Sequence, residues 1–199
     1  MKKEKRKKKN FFADNYSKTW KYIKESKNFI WIAVVIFFIA LIIGLIYQPS
    51  EIINIILSYL KDIVAKTEGM STPNLIAFIF LNNIKIGFMG ILYGFALGIF
   101  PVLSIFANGY VVGYVVSSSI SSAGLISLLN LLPHGIFELP AIFISFGLGI
   151  KFGTFLFYKK KMHHFQKFLI ESLRVFVFVV LPLLVIAAII EGVFISFLG

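Results

Sequence analysis

Two ionisable side chains, His134 and Glu138, fall within the long apolar run NLLPHGIFELPAIFISFGLGIKFGTFL of residues 130 to 156. Their spacing of four stacks them on one face of a helix. A charge in hydrocarbon costs at least a few kcal/mol, so such groups are expected to face protein or water and to have partners. Candidate partners are Asn82, Asn83 and Lys85 in an earlier apolar stretch and Asn108 in the next one, which together with His134 and Glu138 make a candidate buried polar cluster. Pro133, Gly135 and Pro140 interrupt the same run. Pro133 suits the first turn of a helix, whereas Pro140 in the interior leaves the carbonyl of Ile136 without its donor. A helix start beside a freed carbonyl is how transporters hold substrates and ions at depth. The same residues also fit a polar lock that sets helix register, with Asn82, Asn83 and Lys85 as the partners of Glu138.

Other chemistries fare worse. A catalytic zinc wants three protein ligands, usually in an H-E-x-x-H arrangement, and His163 and His164 belong to a basic loop rather than to an apolar run. The chain has no cysteine, which removes disulfides, thiolate metal sites and a cysteine nucleophile. No G-x-S-x-G is present, and no Asp lies in an apolar run, so neither a serine hydrolase nor an aspartyl dyad is readable. The sequence therefore predicts no enzyme, no catalytic residue, no metal and no cofactor.

The elements that must position the cluster follow from hydropathy. A chain of 199 residues that is 58% hydrophobic and 15% charged, with apolar runs near 20 residues, reads as an all-α integral membrane protein with about five transmembrane helices. The expected spans are Phe29 to Tyr47, Leu75 to Phe100, about Val102 to Val116, Pro133 to Phe157, and about Val175 to Phe197 kinked by Pro182. Residues 121 to 132 are left as either a crossing or a re-entrant stretch. Pro101 is expected to force a break, and Ser117 to Gly124 to form a polar turn. Residues 50 to 68 place Ile52, Ile56, Tyr59, Leu60 and Ile63 on one face, predicting an amphipathic interfacial helix with Ser50 as N-cap. Small residues recur at spacing four as Gly90, Gly94, Gly98 and as Ala141, Ser145, Gly149, Gly153, and Gly109 and Gly113 mark the third span. Such seams let backbones approach, predicting a tightly packed small-residue core of spans two to four.

Charge sets the rest of the organisation. Residues 1 to 28 carry eleven Lys or Arg against Glu4, Asp14 and Glu25, and read as a basic cytoplasmic juxtamembrane segment ahead of a single polytopic membrane domain over 29 to 199. Within that segment YSKTWKYIK predicts a short interfacial helix presenting Tyr16, Trp20 and Ile23. The net charge of +11 sits almost wholly in two blocks flanking apolar spans, which points to topology and anionic lipid rather than nucleic acid. With residues 48 to 74 net negative and Lys151 to Arg174 net positive, the positive-inside rule puts the N-terminus in the cytoplasm and Gly199 outside the cell membrane.

The segment PHGIFELPA resembles the signature of the stage II sporulation protein M family, Pro-His-Gly-x-x-Glu-Leu-Pro-Ala, at Pro133, His134, Gly135, Glu138, Leu139, Pro140 and Ala141. The resemblance spans most of residues 75 to 195, with Asn82-Asn83 as its second specific part. It implies a polytopic membrane protein; bacterial members act in engulfment during spore formation, as the non-enzymatic scaffold of a complex with cell-wall hydrolases. Two function classes follow. One is a scaffold or assembly component of a membrane complex, with protein partners and a possible homo-oligomer. The other is a small transporter or permease subunit using the polar site around His134 and Glu138. A specific contact is also expected: Lys85 and Glu138, each the lone full charge in mid-span, should pair across spans two and four.

Overall fold

A computed structural model describes residues 11 to 124 and 132 to 198, with the side chains of Ala123, Leu132, Pro133, His134 and Leu198 outside that set. Every regular element among the described residues is helical: α1 (Phe11–Glu25), α2 (Lys27–Ile46), α3 (Ser50–Thr67), α4 (Thr72–Leu92), α5 (Ile99–Ala123), α6 (Leu132–Gly153), α7 (Lys161–Val175) and α8 (Leu181–Leu198). Five stretches are long and apolar enough to cross a membrane, namely Lys27–Ile46, Thr72–Phe95, Ile99–Ser122, Gly135–Phe157 and Lys161–Phe197. The chain is thus an all-α, multi-pass membrane protein. The last stretch, at 37 residues, is roughly 55 Å of helix against a hydrocarbon core of roughly 30 Å. Its amphipathic first half, α7, therefore lies outside the span, and a π-helical turn at Phe176–Val180 joins it to α8. That wider turn falls where the ring of Pro182 would otherwise press on the carbonyl of residue 178.

The core is built on α6, which touches α2, α4, α5, α7 and α8. Its seam explains why. A Cβ on Gly149 would fall well under 3 Å from the carbonyl oxygen of Gly90, and one on Gly94 equally close to the carbonyl of Gly149. Gly153 meets the backbone of Leu97 and Gly98 in the same way. Spans two and four thus cross backbone to backbone, as the small-residue spacing predicts. The seam of the third span finds a different partner. Gly109 and Gly113 lie against the carbonyls of Phe37 and Leu41, and Gly44 against that of Tyr110, so α5 closes on α2 and the close-packed core also takes in the first span.

Several boundaries differ from those read in the sequence. The third span does not stop near residue 116 but runs helical through Ser117 to Ala123. Ser121 and Ser122 donate back to the carbonyls of Ser117 and Ser118, each at 2.9 Å, so the serines meet their hydrogen-bonding needs inside the helix instead of breaking it. Pro101 does not end an element either; it falls in the first turn of α5, where no donor is missed, and the break lies at Gly98, held at φ 71. On α3 the N-cap is Pro49 rather than Ser50. The face of α3 that packs carries Ile53, Ile56 and Leu60 against Tyr110, Tyr114 and Ile43, leaving Ile52 and Tyr59 outward. The alternatives for residues 121 to 132 turn on residues 125 to 131, which lie outside the described set.

Candidate functional site

The buried face of α4 runs Leu75, Ile79, Asn83, Gly87, Gly90 and Ile91, a helical stripe into which Asn83 falls in register. On α6 Glu138 lies in the second turn. The two side chains meet: Asn83 Nδ2 donates to Glu138 Oε2 at 2.8 Å, with Asn83 4% and Glu138 9% exposed. Asn82 Nδ2 reaches Asn83 Oδ1 at 3.4 Å, a long and weaker contact. A carboxylate accepting an amide across two spans is the sort of satisfied polar contact that a membrane interior requires.

Lys85 and Asn108 do not join this contact. Lys85 is exposed, and no ion pair joins it to Glu138. Two residues along a helix turn a side chain by about 200°, so with Asn83 facing the core Lys85 must face away. The expected Lys85–Glu138 pair is thereby replaced by Asn83–Glu138. Asn108 satisfies itself, its Nδ2 donating to the carbonyl of Ser104 at 2.9 Å within α5. The side chain of His134 lies outside the described residues. Pro140 and Ile136 both sit on the exposed side of α6, so the carbonyl freed by the proline belongs to the face opposite the Asn83–Glu138 contact.

A second polar centre occupies the other end of α6, and the sequence reading passed over it. Lys151, only 7% exposed in the last turn of the helix, donates from Nζ to Ser26 Oγ at 2.8 Å. Its ammonium also lies 3.9 Å from the ring centre of Tyr22 and 5.6 Å from that of Phe168. A cation there complements the negative end of the helix dipole and of the aromatic quadrupoles. Ser26, between α1 and α2, passes its own proton to the Tyr22 carbonyl at 2.6 Å. The interfacial helix thus docks through Thr19, Tyr22 and Ser26 along α7, while the predicted face of Tyr16, Trp20 and Ile23 is turned outward or half-buried. A signal was available: Lys151 is the one charge between Glu138 and Lys159. Burial pushes the Tyr22 phenol well above its ordinary 10.0, with the Ser172 hydroxyl acting the other way. Because the folded state holds that proton more tightly, this contribution is present at neutral pH and is lost as pH rises beyond 10.0.

Removing the acceptor from this centre should be costly. Ser26→Ala leaves the Lys151 ammonium buried with one partner fewer and is expected to destabilise the protein by about 2 kcal/mol, read as a lower Tm in detergent. Adding Lys151→Met should recover part of that loss, since no buried cation then remains. An unchanged Tm for Ser26→Ala would show that the hydrogen bond contributes nothing.

Comparison with known proteins agrees with this architecture. A family profile described as Stage II sporulation protein M matches residues 30–196. The chain is similar to an uncharacterized protein of Methanocaldococcus jannaschii, 30% identical, with 79% of each chain covered. No solved structure matches.

Proposed function

We propose that this chain, which belongs to the stage II sporulation protein M family, is a non-enzymatic scaffold of a cell-membrane complex, with its basic N-terminal end in the cytoplasm. The observation that carries this reading is the use to which Glu138 is put. Its carboxylate, the group that a carrier or hydrolase would need to present, is engaged by Asn83 beside the backbone crossing of α4 and α6. The signature then acts as a lock that holds two spans in register, leaving the exposed surfaces of the bundle to meet partners. The orientation is supported by the charge asymmetry: α1 packs along the basic α7, while α3, with Glu51, Asp62 and Glu68, packs on the latter part of α2 and the middle of α5.

Reconstitution of the full chain into liposomes tests the role. Scaffolding predicts no proton or cation flux above that of empty vesicles, together with a protein partner that co-purifies in fixed stoichiometry. Flux abolished by Glu138→Gln in a protein of unchanged fold would establish the transporter reading instead. One observation favours that alternative: Ser145 Oγ is fully buried without a hydrogen-bond partner, two turns along α6 from Glu138 on the same face. Orientation has its own test in this cysteine-free chain. Ser58→Cys, exposed on α3, is expected to react with an impermeant maleimide added outside intact cells. Labelling from the cytoplasmic side alone would invert the topology.

A further inference from the structure

We propose that the junction of α1 and α2 is a binding site for an anionic phospholipid. The feature begins in the sequence. Trp20, Ile23, Lys24, Lys27, Ile30, Trp31 and Val34 follow one another at helical intervals of three and four, and the stripe passes unbroken through the irregular residue Ser26 that separates the two helices. In the fold these residues line one groove of about 340 Å3. Ile23, Ile30 and Val34 are half-buried and form its base, whereas Trp20 and Trp31, 60% and 65% exposed, stand out as its rims.

The chemistry of the groove is divided along its length. Midway along it Lys24 and Lys27 are exposed, neither with a carboxylate partner among the described residues, and the Lys24 ammonium lies 5.8 Å from the centre of the Trp20 ring. The nearest acid in sequence, Glu25, is turned to the other side of α1, 4.0 Å from Lys21 in the cleft shared with α7. From Lys27 to Val34 the groove then descends about 10 Å along the first span, and it opens sideways beside the exposed Ile32 and Val35. Two exposed cations without a carboxylate partner among the described residues, above an apolar channel bordered by the exposed Ile32 and Val35, match a phosphate above its acyl chains. Tryptophans at the boundary suit the headgroup level, where an amphipathic ring has one end wet and the other apolar. A soluble anion would have no use for the channel, and a peptide would have to enter it from the bilayer. Among lipids, charge complementarity selects the anionic ones, because a zwitterionic headgroup brings its own ammonium towards the two lysines.

The chain offers a direct readout, since Trp20 and Trp31 are its only tryptophans and both line the groove. The full chain would be reconstituted in phosphatidylcholine vesicles with phosphatidylglycerol as a minor component, the bromine label being carried on the acyl chains of one lipid or of the other. At equal fractions of labelled lipid, brominated phosphatidylglycerol is expected to quench tryptophan emission at least about twofold more strongly than brominated phosphatidylcholine, given a gain of roughly fivefold per lysine near an anionic headgroup. Lys24→Gln with Lys27→Gln should bring the two lipids to equal quenching, whereas Lys18→Gln with Lys21→Gln, on the opposite side of α1, should leave the preference in place. All four lysines are exposed, and circular dichroism of each variant checks that helix content is unchanged. Equal quenching by both lipids in the unaltered chain would overturn the proposal. So would a preference that falls as far in the Lys18 and Lys21 variant, since that is the mark of diffuse attraction to basic charge.

Discussion

Gly149→Ala is expected to abolish recovery of folded protein, although it adds a single methyl group and improves helix propensity. The new carbon would fall well under 3 Å from the carbonyl oxygen of Gly90 and 2.9 Å from Cγ of Pro101. Neither neighbour can rotate away, because one is helix backbone and the other a ring locked to it. Spans two and four would have to separate along their whole crossing, breaking the Asn83–Glu138 contact and the packing of Gly94 and Gly153 together. A loss of about 4 kcal/mol or more is expected, beyond the usual range for one substitution. Gly87→Ala on the same face of α4 is the matched control. There the added carbon meets only side chains, Ser145 Oγ at 3.2 Å and Phe176 at 3.5 Å, which can shift by tenths of an ångström. Its cost should stay within about 1 kcal/mol. Size-exclusion profiles and thermal unfolding in detergent compare the two, and a well-behaved Gly149→Ala protein would mean that the crossing is looser than the structure has it.

Asn83→Leu is expected to cost about 3 kcal/mol, while Lys85→Met, two residues on, should change stability by no more than about 0.5 kcal/mol. The first removes the amide that Glu138 accepts and leaves a carboxylate buried with its bonding reduced, a penalty that falls on the group left behind rather than on the one removed. The second takes a charge from an exposed face of α4 and replaces it with a side chain of similar length that suits lipid. Asn83→Leu combined with Glu138→Leu should be milder than Asn83→Leu alone. Equilibrium unfolding of the four proteins reads the pattern. Lys85→Met damaging the fold as severely as Asn83→Leu would restore Lys85 as the partner of Glu138.

The number of apolar spans and the small-residue seams were legible in the sequence, since each depends on properties that a residue carries with it. An apolar run near 20 residues must cross a bilayer or be buried, and a glycine at every fourth position must offer a flat face. The polar cluster was legible only in part. Asn83 and Lys85 are both polar residues in mid-span, and depth together with charge favoured pairing Lys85 with Glu138. What decides between them is rotation about the helix axis, about 100° per residue, and that angle is set by which face of α4 docks on α6. The docking is in turn dictated by Gly90 and Gly94 meeting Gly149, a match between faces more than 50 residues apart. The third span shows the same dependence: Gly109 and Gly113 announced a close contact, but only the packed bundle selects the carbonyls of α2 to receive them. Lys151 carries the point furthest. In the sequence it is one more basic residue before a basic loop, and its burial exists only because Ser26 and Tyr22, at the far end of the chain, fold back over the end of α6. The sequence by itself determined which segments enter the membrane and where backbones can touch, because hydropathy and side-chain size are local. Tertiary structure alone decided which polar groups meet, because that follows from the relative rotation of helices brought together from distant parts of the chain.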